Sequence, residues 1–147
     1  LGVGVGVGLS PAAAPVLSAG AGVRAGRWSV GAEGLTVLPV TSSDVRSSLV
    51  AGGFVPCFHV WKMAGCAVVL AGVRRTSARE VQNDEPSFFF GAGLRAVLEV
   101  PIVGPLALRA TGDLLGTMPA TAYIANVQRW ASSPIGAIWT AGMTAQF

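Results

Sequence analysis

Between Leu1 and Leu9 every odd position carries Leu or Val and every even position carries Gly. A two-residue period puts all the odd side chains on one face of an extended strand, so this segment specifies a β-strand with one greasy face and one bare face. The pattern recurs about eight times, each run closed by turn chemistry. Further strands are expected over 16–24, 28–37, 47–60, 63–74, 87–100, 106–115 and 135–147. Short connections fall at 10–15, 25–27, 61–62 and 101–105. Longer ones are expected at 39–44, at the polar stretch 75–86, and at 116–134, where Ala122–Trp130 alternates enough to extend a strand.

The chain of 147 residues is 52% hydrophobic and only 12% charged, about half the charge of an ordinary soluble domain. Its mean hydropathy of +0.61 points to a membrane. A helical span needs about 20 apolar, helix-compatible residues. The nearest stretches are 1–23, broken by six glycines and two prolines, and 50–73, broken by Pro56, His59 and Lys62. No Gly-X-Y period runs through the chain, and its polarity is too low for a disordered segment. The net charge is +3, with nine Arg and one Lys in no basic run, so a nucleic-acid footprint is absent. The fold class expected is all-β: an eight-stranded antiparallel up-and-down transmembrane barrel. It forms one domain over 1–147, either as a chain without its leader or as the C-terminal part of a longer polypeptide.

Alternation does not say which face is inside; the charges do. The polar face holds Arg24, Glu33, Arg74, Arg95, Glu99, Arg109 and Asp113 among Gly, Ser, Thr and small apolar residues, whereas the other face carries no charge in any strand core. Water-facing strands are ordinarily rich in Lys, Glu and Thr. An eight-stranded barrel has an interior just wide enough for side chains to fill, and a few Arg and acids crossing it can neutralise one another. An uncharged outer face fits hydrocarbon, where Arg or Lys at mid-depth costs about 2–4 kcal/mol. Short and long connections alternate apart from the first, 10–15, which is short at the long-connection end. Trp28, Phe58, Trp61 and Phe147 fall near the short-turn rim, with Phe88, Phe90 and Trp139 toward the other.

The last strand, Trp139-x-Ala141-x-Met143-x-Ala145-x-Phe147, resembles the C-terminal signature of Gram-negative outer-membrane β-barrels. The whole chain looks like a small barrel of the OmpA/OmpX type, in a Gly/Ala/Arg-rich style similar to barrel domains of myxobacteria. That resemblance implies a bacterial outer-membrane location with both termini periplasmic. It also implies outer-membrane lipid as surroundings and recognition of the terminal strand by the barrel-assembly machinery. As part of a longer polypeptide, the barrel would anchor an upstream periplasmic domain or sit in an envelope complex.

Cys57 and Cys66 flank the Trp61-Lys62 turn symmetrically and therefore face each other across a hairpin as a non-hydrogen-bonded pair. A cross-strand disulfide is expected, suited to an oxidising periplasm, with two buried free thiols as the alternative. His59 is the sole histidine and shares a strand face with Cys57. A bridged Cys57 is no nucleophile, and a single His beside it is too few ligands for a metal. Glu33, Glu99 and Asp113 share their face with arginines, so ion pairing accounts for them better than acid–base catalysis. The glycines at 2, 4, 6 and 8 lie within a strand with no helix following, unlike a nucleotide-binding loop. No catalytic constellation, cofactor or metal is expected. The leading function is a non-enzymatic anchor or structural platform, with 75–86 and 116–134 as contact surfaces. A lipid-modifying enzyme using His59 or an acidic group and a soluble secreted small-ligand barrel are the alternatives.

Overall fold

The computed structural model describes the backbone of residues 1–42, 45–78, 81–118, 121–124, 127–131 and 133–145, and the side chains of these except 41, 42, 45, 78, 81–85, 121–124 and 127–131. In chain order the strands are β1 (Gly2–Val7), β2 (Ala14–Ala25), β3 (Trp28–Ser42), β4 (Val45–Val60), β5 (Met63–Ala78), β6 (Val81–Val103), β7 (Leu106–Thr117), β8 (Thr121–Ile124), β9 (Val127–Ala131) and β10 (Ile135–Ala145). Eight of them close an antiparallel barrel in the order β1-β10-β7-β6-β5-β4-β3-β2, while β8 and β9 pair as a separate hairpin.

Closure carries a definite stagger. From Gly2 the register runs through Ser18, Leu35, Ala51 and Gly72 to Phe89 on β6. In the other direction it runs through Gly142 and Arg109 to Glu99 on the same strand. The two routes end about ten residues apart, which tilts the strands by roughly 35–45° and leaves a lumen that side chains can fill.

Three connections at one end are two residues long: Gly26-Arg27, Trp61-Lys62 and Gly104-Pro105. Each opens on a residue of positive φ, namely Gly26 (61°), Trp61 (56°) and Gly104 (54°). This is what a tight hairpin demands of its first central position. The opposite end differs from expectation. Residues 39–42 and 75–78, together with 81–86, are strand rather than loop. Arg75 pairs with Pro86 and Thr76 with Glu85, so the 75–86 connection is a hairpin projecting past the barrel rim. Within 116–134, β7 runs on to Thr117 and the β8–β9 hairpin occupies the middle.

The wall is dressed as the alternation requires. Val3, Leu17, Val30, Phe54, Val69, Leu94, Leu98, Leu108, Leu114 and Met143 are exposed on the outside, Leu94 by 70%. Between the Trp28–Phe58 level and Phe88, no Asp, Glu, Lys or Arg faces outward among the described residues. Leu9 departs from its strand face. Gly8, at φ 80°, ends β1 and turns Leu9 into the lumen. There it joins Val16, Leu35, Leu49, Leu70, Leu115 and Ile138, each at most 2% exposed. The long-connection half of the lumen is thus an apolar plug, and the charges lie below it or beside it.

Candidate functional site

The centre of the lumen is an ion cluster built from three strands. Arg95 on β6 and Asp113 on β7 are register partners, and Glu33 reaches them from β3 across the barrel. Arg95 Nε and Nη2 donate to the two Asp113 carboxylate oxygens at 2.5 and 2.8 Å. Its Nη1 and Nη2 donate to the two Glu33 oxygens at 2.5 and 2.6 Å. One planar guanidinium therefore clamps two carboxylates bidentately, a geometry lysine cannot supply. Room for the crossing comes from glycine, since Gly20 and Gly53 are the cross-strand neighbours of Glu33. Arg95 and Asp113 are 7% and 4% exposed. At that burial charge is tolerated only when paired and hydrogen-bonded.

The other four expected interior charges are spread out. Glu99 and Arg109 are register partners near the short-turn mouth, with a looser contact of 3.9 Å and more solvent around both. Arg24 is not interior. It is exposed at the mouth beside its turn, where Nε donates to the Gly26 carbonyl at 3.2 Å. Arg74 is buried at the long-connection end, its guanidinium 5.4 Å from the Phe89 ring centroid. This cation–π stack is apart from the central cluster.

Cys57 and Cys66 form a disulfide, with register-paired Cα atoms 4.0 Å apart and both residues buried in the lumen. The symmetric spacing about the turn is what brings them opposite each other. Closing so short a segment stabilises by about 2–3 kcal/mol through the unfolded chain. Beside it, Ser29 Oγ and His59 Nε2 lie 2.7 Å apart. Ser29 pairs in register with Cys57, so its hydroxyl meets the imidazole two positions away on β4. A hydroxyl touching an imidazole is the contact of a nucleophile–base pair; here it also satisfies a ring that is 8% exposed. Nothing in the sequence singles out Ser29 as this partner, because it is one of many small polar residues on the inner face. No group of three or more His, Cys, Asp or Glu side chains assembles a metal site among the described residues.

On the outside, Trp139, Ala141, Met143 and Ala145 of the C-terminal motif face away from the lumen, whereas Phe147 lies outside the described residues. Trp139 stands opposite Gly112, whose register partner Ala96 lies six residues below Phe90. Trp139 is therefore near mid-wall rather than at the Phe88–Phe90 rim, and Gly112 leaves space for its indole. Of the expected contact residues, Arg75 is exposed on the projecting hairpin. The side chains of Arg79, Glu80, Asp84, Glu85, Tyr123, Arg129 and Trp130 lie outside the described residues. In comparisons with known proteins, no family model, no curated protein and no solved structure matches the chain.

Proposed function

We propose that the chain is an integral outer-membrane β-barrel without catalytic activity, serving as an anchor and as a platform for the structures at its long-connection end. The observation that carries this is the inverted dressing of the wall. Leu, Val, Phe and Met cover the outside, and Arg95, Glu33 and Asp113 neutralise one another at the centre. In water such an outer face would be an apolar patch far beyond the few hundred Å² that soluble monomers expose. In hydrocarbon it is the favourable surface.

Three further features support the proposal. Among the described residues the three tight turns share one end, as in barrels whose short connections are periplasmic, while β3, β4, β5 and β6 run on past the other rim. Trp28 and Phe58, ring centroids 5.0 Å apart, mark one edge of the apolar band and Phe88 the other, as aromatic girdles do. The lumen is filled by an ion cluster and an apolar plug, which fits an anchor better than a pore. At the long-connection end β5 and β6 run on as paired strands, a surface for an envelope partner. The C-terminal motif supports delivery by the barrel-assembly machinery, and the resemblance to OmpA/OmpX-type barrels belongs with this proposal.

Refolding from urea tests it. With detergent micelles or vesicles the chain is expected to give a compact species whose gel migration changes on boiling, and without amphiphile to precipitate. A monodisperse folded monomer in plain buffer would favour the soluble secreted barrel instead.

A further inference from the structure

Two neighbouring short turns carry more than closure requires. Gly26-Arg27 joins β2 to β3, and Trp61-Lys62 joins β4 to β5. They are held side by side, since Trp28 pairs with Phe58 and the His59 N–H donates to the Arg27 carbonyl at 2.7 Å. The first central position of each short turn has φ near 60°, and two of the three use glycine there. The third holds Trp61, whose Cβ makes this backbone conformation unfavourable. Its ring is 85% exposed, so packing within the barrel does not repay that strain. Lys62 Nζ lies 5.0 Å from the Trp61 ring centroid, and Arg24 is tethered to the Gly26 carbonyl on the adjacent turn. Arg24, Arg27 and Lys62 are all exposed. Among the described residues at this end the acid is Glu99, on β6 within contact of Arg109. The third turn, Gly104-Pro105, carries no charge.

From this juxtaposition we propose that Arg27 and Lys62, with Trp28 and Trp61, bind the phosphate headgroups of anionic phospholipid in the leaflet around the short-turn rim. The inference rests on the membrane assignment above and names the lipid class it selects. Indole rings partition to the level between headgroup and acyl chain, and cations set just beyond them meet the phosphates. A strained turn that keeps its Trp is explained by this placement. An ordinary hairpin would hold glycine there, as Gly26 and Gly104 do.

The test reconstitutes the full chain in phosphatidylcholine vesicles containing a trace of spin-labelled phosphatidylglycerol or spin-labelled phosphatidylcholine. It reads the motionally restricted fraction of each label. The expected result is a roughly three- to tenfold preference for the phosphatidylglycerol label. That preference should fall to parity in the Arg27→Gln/Lys62→Gln double variant and at roughly 0.5 M salt, where exposed charges are screened. Trp61→Gly should relieve the turn yet reduce the preference. Boiling-dependent migration of each variant shows that its barrel is intact. Equal restriction of both labels by the parent chain overturns the proposal and leaves membrane insertion standing, as does a preference unchanged in the double variant. A preference for an acidic soluble peptide added to vesicles lacking anionic lipid would reassign the rim to a protein partner. No restricted component with either label overturns the membrane assignment as well.

Discussion

Leu94→Arg is expected to lower the free energy of folding into phospholipid vesicles by about 2–4 kcal/mol, and Leu114→Arg by a similar amount. The two side chains are register partners on the outer wall, 70% and 61% exposed, between the Trp28–Phe58 pair and Phe88. On a water-facing wall the same exchanges would move stability by no more than about 0.5 kcal/mol, because exposed positions without special contacts tolerate polarity. On this wall, strongly exposed leucines are the positions least tolerant of charge. Urea titration of folding in vesicles gives the magnitude. A graded series along β6, with Leu98 and Val100 nearer the short-turn rim, should show the cost falling toward the interface as the guanidinium reaches headgroups.

Arg95→Ala is expected to destabilise the barrel by about 3–5 kcal/mol, since it strands Glu33 and Asp113 as buried carboxylates with no cation between them. That is a large part of the roughly 5–15 kcal/mol available to a domain. Arg95→Lys should recover only part of the loss, because an ammonium cannot make both bidentate contacts. A triple exchange, Glu33→Gln with Arg95→Met and Asp113→Asn, removes every charge at once and should cost less than Arg95→Ala alone. Denaturant midpoints of the three variants separate pairing from packing. If Arg95→Ala were as stable as the parent, the cluster would contribute nothing and the lumen would be wetter than its burial indicates.

Much of the architecture is legible in the residues. Alternation sorts Val3, Leu17, Leu94 and Met143 from Arg95 and Asp113, and the structure puts the first set outside and the second inside. The symmetric spacing about Trp61-Lys62 anticipates the Cys57–Cys66 bridge. What the pattern lacks is azimuth and height. It says that Glu33 and Arg95 share an inner surface, but nothing local joins residues from strands three apart round the wall; closure does that. Arg24 alternates inward like Arg95, yet it stands one residue pair from the end of its hairpin, at the mouth, and is exposed.

The polar stretch 75–86 reads as a loop because its composition is that of a water-exposed segment. Polarity there marks strands that have left the barrel, not the absence of strands. Pro86 is compatible with pairing because, among the described residues, β6 above Phe90 pairs with β5 and not with β7, and an edge strand accommodates proline. Phe88, Phe89 and Phe90 form an apolar run in which alternation turns Phe89 inward, and its contact with Arg74 appears only once β5 and β6 are aligned.

The claim on which the rest depends is that the outer wall lies against acyl chains. Trp139 reports on it directly, being on that wall near mid-height and 53% exposed. In a variant whose other tryptophans are Phe, reconstituted in vesicles of lipids brominated at chosen acyl positions, Trp139 fluorescence should be quenched most by bromines deep in the chains and emit at the blue end of the indole range. Emission typical of indole in water, with quenching by none of the brominated lipids, would contradict the account.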